Sequence, residues 1–443
     1  SALVGFREAG KPILALFPFA GEMEMALAAA STKTWLEPFG SVEVNGFSAQ
    51  RMYWAKGLDK LGIVVNPIRV GKYKSAMEPF FRDSMSPEAR EQTLGYLKDM
   101  YDVFVEDAEA AGGFPAGALA QVLAEGGVVG AERATELGLI EGEAWSEDMR
   151  QELMALAVDD EEPVTVSLGD YLSAWRGESE VEEAESRVGV VFVEGLILDA
   201  EDDSQASGRL IAARLREARL EESVGAVVLR VNSPGGSATA SELVLREVQL
   251  LREAGKPVVA SMGNVAASGG YYVSCAANEI LAHPNTITGS IGVTGMIPDV
   301  SGLTDKLGIR SETVNTAPSA DIGSPFRSPT DTELATIQSM VDRVYDVFLD
   351  RVAEGRGMTR DEVHEIAQGR VWSGRDAKEN GLVDGFGNFE DALDRAASLA
   401  NLEDGWTVSI FDAEPDALDL LLAALVAEGV TLPRSRGVLA RLL

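Results

Sequence analysis

One unit of this chain is written twice, and the two copies are unequal. REAGKP occurs at Arg7–Pro12 and Arg252–Pro257, DKLGI at Asp59–Ile63 and Asp305–Ile309, and YDVF at Tyr101–Phe104 and Tyr345–Phe348. The offsets are 245, 246 and 244. Spacing this steady marks an internal duplication and constrains the chain to two related halves. The register also shows where the copies differ. Ser268, in AASGG, falls opposite Met23 or Glu24, and Lys74, in VGKYKSAMEP, falls opposite Ala320 when Pro79–Phe80 and Pro325–Phe326 are superposed. One complete site is therefore expected to be divided between the copies.

The length of 443 residues agrees with two domains of about 150 to 200 residues each. The expected division is an N-terminal repeat at 1–167 that supplies the lysine, an acidic connector at 168–187, a C-terminal repeat at 188–400 that supplies the serine, and a tail at 401–443. Against 38 Lys+Arg stand 71 Asp+Glu, a net charge of -33 that would repel phosphate backbones and argues against a nucleic-acid partner. The excess reads as a solvated acidic surface. The single cysteine, Cys275, excludes an intrachain disulfide framework, and its apolar setting reads as a buried, inert thiol. His283 and His364 lie in no metal-ligand spacing, so neither a metal nor another cofactor is expected.

Val188–Leu198, interrupted at Gly195, and Gly225–Asn232 are apolar, β-branched runs that read as buried parallel strands, with Pro257–Gly263 as a third. Helical periodicity fills 209–222 and 241–255, so the alternation predicts an α/β fold with a mostly parallel sheet. KPILALF, KTWLEPF and GIVVNPI keep the later part of that order in the first copy, and helices are expected around Glu88–Ala111 and Asp331–Glu354. Tyr171, Leu172 and Trp175 of the connector share one helical face. The apolar stretch Ala417–Val430 reads as a packing helix, too short to span a bilayer.

No run of eighteen apolar residues and no signal peptide is present. The second REAGKP begins 65 residues after Arg187, the first only six after Ser1. That difference predicts that about 59 residues of the first copy are missing and that its N-terminus is a truncation.

Ser268 sits among small residues where strand gives way to helix. Such a setting leaves room for a substrate and presents helix-start N–H groups to an oxyanion, although a Ser-Gly-Gly turn taken alone is more often structural than catalytic. NSPGG (Asn232–Gly236) follows a predicted strand; its glycines suit either a tight turn or close backbone approach to a ligand. His283 precedes Pro284 and reads as a strand-end residue, which leaves a lysine as the candidate base. A lysine of ordinary pKa, about 10.4, needs a depression of roughly 3 units to act as a base near neutrality, and burial supplies that. Lys74 is the candidate; Lys72, two residues away on the same face of an extended chain, is the alternative.

RVNSPGGSATASE, SMGNVAASGGYYVSCAAN, NTITGSIGV and RVGKYKSAMEPFFRDSMSPEARE together resemble the signal peptide peptidase A family, in its long tandem-repeat form. The resemblance implies a Clp-protease/crotonase-like fold in each half and a Ser/Lys dyad with Ser268 as nucleophile and Lys74 as general base. It implies oxyanion donors from the backbone of Gly269 and of the Gly235–Gly236 pair. It also implies peptide substrates such as signal-peptide remnants, a homo-oligomer with a tetramer as the family form, and membrane association on the envelope-facing side of the bacterial inner membrane. Two other readings keep parts of this pattern: a crotonase-like enzyme holding an acyl-CoA thioester, for which Lys74 would be dispensable, and a non-catalytic peptide-binding scaffold at the membrane.

Overall fold

The computed structural model describes residues 2–156, 165–171, 174, 186–200, 205–402 and 405–412. The packing expected for Leu172 and Trp175 and the helix expected at 417–430 lie outside these residues. The chain forms two compact units from interleaved segments: one from Ser1–Glu183, Ala282–Ala353 and Met358–Phe386, the other from Ala184–Leu281, Glu354–Gly357 and Gly387–Leu443.

The second of these units is built on parallel strands. Val224–Gly236 lies between Arg187–Leu198 and Val258–Ala267; Thr407–Ile410 adds to the outer side of Arg187–Leu198 and Glu279–Ala282 to that of Val258–Ala267. Ala226, Val227, Val228 and Leu229 are consecutive and fully buried, as expected for a strand covered on both faces. The helix Phe389–Leu399 covers one face, packing Ala392, Ala396 and Ala397 on Val188, Val190, Ala226 and Val228. Gly208–Leu220 and Ala238–Glu253 lie against each other, each with a serine N-cap, Ser207 accepting from Leu210 N–H and Ser237 from Ala240 N–H. Gly195 breaks its strand as the sequence suggested: at φ +83 it sits in a register shift between Glu194 and Leu196. Cys275 is buried, its thiol directed at the Tyr272 carbonyl.

The other unit holds the parallel strands Leu14–Phe17, Lys33–Leu36 and Gly142–Glu143 beside a core in which Met25, Ala28, Ala29 and Leu36 meet Phe104, Ala108, Leu119 and Val122. Val64–Val70 departs from the parallel pattern. It pairs antiparallel with Val293–Asp299 as a two-stranded ribbon. Ile287–Gly289 pairs antiparallel with Val371–Ser373, which lies against the helix Pro87–Ala110.

The duplication survives as repeated hydrogen bonds. Arg7 Nη1 donates to the Ser31 carbonyl and Arg252 Nη1 to that of Ala276, each closing the end of the helix that precedes it, Glu22–Ala30 or Gly269–Ser274. Trp54 N–H donates to Pro79 O and Val300 N–H to Pro325 O, both at 2.6 Å. Among the described residues, no helix is long and apolar enough to cross a membrane.

Candidate active site

Ser268 stands between the strand Val258–Ala267 and the helix Gly269–Ser274 with φ +54 and ψ -117. A residue with a Cβ is strained there, by about 1–3 kcal/mol. The surroundings leave no slack to relieve it. A Cβ at Gly235 (φ +98) would lie 2.4 Å from Gly269 N and 2.8 Å from Ser268 Cβ; one at Gly270 would lie 2.6 Å from the Ser233 carbonyl oxygen. The glycine-bearing strand end NSPGG and the AASGG turn are thus pressed backbone to backbone, which explains why both need glycine. Strand pairing continues through Gly235 and Gly236, so NSPGG is the end of the strand rather than a turn after it. Gly236, at φ +154, would set a Cβ 2.0 Å from the Ile197 carbonyl oxygen. Gly235 N–H donates to Ser233 Oγ at 3.1 Å. Gly269 opens its helix, where the first N–H groups have no partner within the helix. Ser268, Gly235, Gly236 and Gly269 therefore come together in one unit.

The first copy lacks this turn. Its corresponding helix starts at Glu22 after Gly21 at φ -79, and Met23 is exposed.

Lys74 lies in the other unit, after the strand Val64–Val70. Its side chain is buried, at 5% exposure, and Nζ donates to the Ser290 carbonyl at 2.7 Å and to Ser290 Oγ at 2.9 Å. Removal from water disfavours the ammonium, and its pKa falls to about 7. Lys72 differs: it is exposed, with its ammonium 5.2 Å from the centre of the Tyr73 ring.

Three residues that hold this lysine carried no assigned role in the sequence. Ser290, itself at φ +53, lies in NTITGSIGV, a motif whose contribution was not resolved to a residue. Gly369 (φ +77) passes so close that a Cβ there would be 2.5 Å from Lys74 Cβ. Gln92, on Pro87–Ala110, donates through Nε2 to the Tyr73 carbonyl and to Ser75 Oγ, one residue on either side of Lys74, and accepts from Val371 N–H. Glycines and glutamines at such separations leave no local pattern to read. Beside Lys74 opens a cavity of about 510 Å³ lined by Phe47, Tyr96, Leu97, Met100 and Ile287 among others.

His283 is placed structurally, its Nδ1 accepting from Asn285 N–H and its own N–H donating to Thr286 Oγ1. His364 Nδ1 is paired with the Tyr345 hydroxyl at 3.0 Å.

The profile of peptidase family S49 matches residues 5–159 and 250–403, one stretch in each copy. Protease 4 of Salmonella typhi is 37% identical over 436 residues, which covers 96% of this chain and 69% of that protein. Protease 4 of Haemophilus influenzae is 36% identical over 425 residues, covering 93% and 69% respectively. The chloroplastic serine protease SPPA of Arabidopsis thaliana is 31% identical over 409 residues, 90% of this chain and 60% of that one. With both copies matched by one profile and relatives aligned along nearly all of its length, the chain belongs to peptidase family S49 and is a serine peptidase.

Proposed function

We propose that the chain cleaves peptides through a Ser/Lys dyad, Ser268 as nucleophile and Lys74 as general base, each contributed by a different repeat. The observation that carries this reading is Lys74: a buried amine with a pKa of about 7 is substantially neutral near neutrality. A neutral amine has a lone pair for the Ser268 proton, while Ser290 accepts its two remaining N–H groups. The hydroxyl oxygen adds to the peptide carbonyl, Lys74 carries the proton to the leaving amine, and water resolves the acyl-enzyme, returning the proton. The oxyanion is received by Gly269 N–H and by the Gly235–Gly236 pair, with Gly236 the donor because Gly235 N–H donates to Ser233 Oγ. The strain at Ser268 supports a functional turn, since structure alone would favour glycine at φ +54.

Extended, apolar peptides such as signal-peptide remnants are the proposed substrates, bound through main-chain hydrogen bonds and small side-chain pockets. The motif resemblance supports this class, as it supports a homo-oligomer and membrane association at the envelope-facing side of the bacterial inner membrane. A serine-reactive fluorophosphonate tests the mechanism. It should label Ser268, and Lys74→Ala should remove most labelling and lower turnover by about 10²–10⁴-fold; full peptide cleavage by Ser268→Ala would sink the proposal.

A further inference from the structure

Gly369, which packs on the candidate base, is followed by a residue that touches both sides of the lysine's environment. The Arg370 carbonyl accepts from Ser290 N–H at 2.6 Å, and Ser290 holds the Lys74 amine. The Arg370 guanidinium lies over the ring of Tyr73, 4.8 Å from its centre, and Tyr73 directly precedes Lys74 in the chain. It also lies over the Trp372 ring at 4.1 Å.

Polar contacts reinforce this stack. Arg370 Nη1 donates to the Tyr73 hydroxyl at 3.3 Å and to Glu91 Oε1 at 2.9 Å, while the Tyr73 hydroxyl donates to Glu91 Oε2 at 3.2 Å. Arg370 Nε is buried and has no hydrogen-bond partner among the described residues. A donor left dry is costly, so the contact with the two rings, together with the Glu91 pair, outweighs that loss in fixing the guanidinium. The backbone closes the arrangement: Tyr73 N–H donates to Gln368 O, and Gly369 N–H to Ile291 O.

The duplication isolates these residues. AEGGVVG (Ala124–Gly130) matches AQGRVWS (Ala367–Ser373) at an offset of 243. The strands Val128–Gly130 and Val371–Ser373 hold the same place in each copy, antiparallel to Ser41–Glu43 and Ile287–Gly289 respectively. Gly127 stands where the second copy has Arg370, and Val129 where it has Trp372. A Cβ at Gly126 would meet nothing within 4 Å, whereas one at Gly369 would meet Lys74. The segment that packs on a lysine is the one that carries arginine and tryptophan.

We propose that Arg370 is a positioning residue for Lys74: its side chain fixes the loop that carries the amine, its carbonyl fixes the residue that receives the amine, and the two therefore keep one geometry. The other charged groups at this loop are placed differently. Arg51 and Arg69 donate to the Ser75 and Lys74 carbonyls, Glu78 accepts from Arg69, and Lys72 lies over the Tyr73 ring. The effect of Arg370 on turnover rests on the reading of Lys74 as base. Its effect on the placement of the amine does not.

Substitution of Arg370 tests both. Arg370→Ala leaves the carbonyl in place and removes the stack, so kcat should fall by about 10–100-fold with KM little changed. Water admitted beside the loosened loop favours the ammonium, and the rising limb of the pH profile should move to higher pH. Arg370→Lys keeps the positive charge without the planar group and should retain most of both defects. Trp372→Leu should reproduce the pH shift in smaller degree, and Trp372→Phe, which keeps a ring, should restore most of the loss. Arg370→Ala combined with Tyr73→Leu should cost less in kcat than the two single effects together, because both remove one contact. If Arg370→Ala fails to fold, Arg370→Lys and the Trp372 pair carry the test.

A measurement without substrate keeps the two readings apart. In urea at pH 6, the advantage of Lys74→Met over its parent should shrink in the Arg370→Lys background, since the lysine there is already hydrated. An unmoved pH limb in Arg370→Lys, additive kcat losses, or an undiminished Lys74→Met advantage overturns the proposal. Full turnover by Lys74→Ala would count against the dyad and leave the placement of the amine by Arg370 standing.

Discussion

Lys74 Nζ donates to both the carbonyl oxygen and the hydroxyl of one residue, Ser290, across a sequence separation of 216. Two acceptors on a single residue fix the direction of the amine, and burial around them lowers its pKa to about 7. Peptidase kcat/KM should therefore rise with pH through about 7 as the ammonium loses its proton. Ser290→Ala removes one acceptor from a charged donor, worth about 1.5–3 kcal/mol. It should move that rising limb to lower pH, because the ammonium is further disfavoured, and should lower kcat by about 10–100-fold through loss of orientation. An unchanged pH profile would show that Ser290 does not control the amine.

The same shift predicts a stability effect. With the folded pKa of Lys74 at about 7, below its ordinary 10.5, the folded chain binds fewer protons than the unfolded chain between those values. Stability from this group should increase as pH rises from about 7 to 10.5, and below about 7 the penalty of the buried charge is present in full. The whole effect is about 5 kcal/mol. Lys74→Met lacks it, so urea midpoints should show the variant's advantage over the unaltered chain greatest at pH 6 and much smaller at pH 10. A difference independent of pH would mean that Lys74 is not buried as an ionisable group.

Ser268 at φ +54 sets function against stability. Ser268→Gly removes the backbone strain, and thermal unfolding should show a gain of about 1 kcal/mol with peptidase activity abolished. Equal or lower stability would indicate that contacts of the serine side chain outweigh the strain.

Gly369→Ala should displace the lysine without replacing any ionisable group. Its Cβ would need space 2.5 Å from Lys74 Cβ at a backbone φ of +77. Loss of more than about 1 kcal/mol of stability is expected from strain alone, with a fall in kcat larger than the change in KM. Retained kcat in a folded variant would show that the amine tolerates the shift.

The extent of legibility differs by element. Strands such as Val224–Gly236 and helices such as Pro87–Ala110 announce themselves through apolar runs, periodicity and caps, all of which act between residues close in sequence. Val64–Val70 is also recognisable as extended in the sequence, yet its antiparallel partner, which begins at Val293, 223 residues after Val70, is not. Pairing depends on which edge is presented, and no local preference records that. Ser268 and Lys74 were singled out because motifs and the repeat register isolated them, whereas Ser290, Gly369 and Gln92 matter only through contacts with Lys74.

The sequence by itself determined that the chain is a duplicated α/β protein, that its serine and lysine sit in different copies, and that its motifs are those of a peptidase family. These are properties of order along the chain. Tertiary structure alone decided that Lys74 rather than Lys72 is buried, that this burial lowers the pKa of Lys74, that Ser290 holds its amine, and that the Ser268 turn is strained against Gly235. Burial, desolvation and backbone strain are set by what surrounds a residue in space, and those surroundings come from segments the sequence keeps far apart.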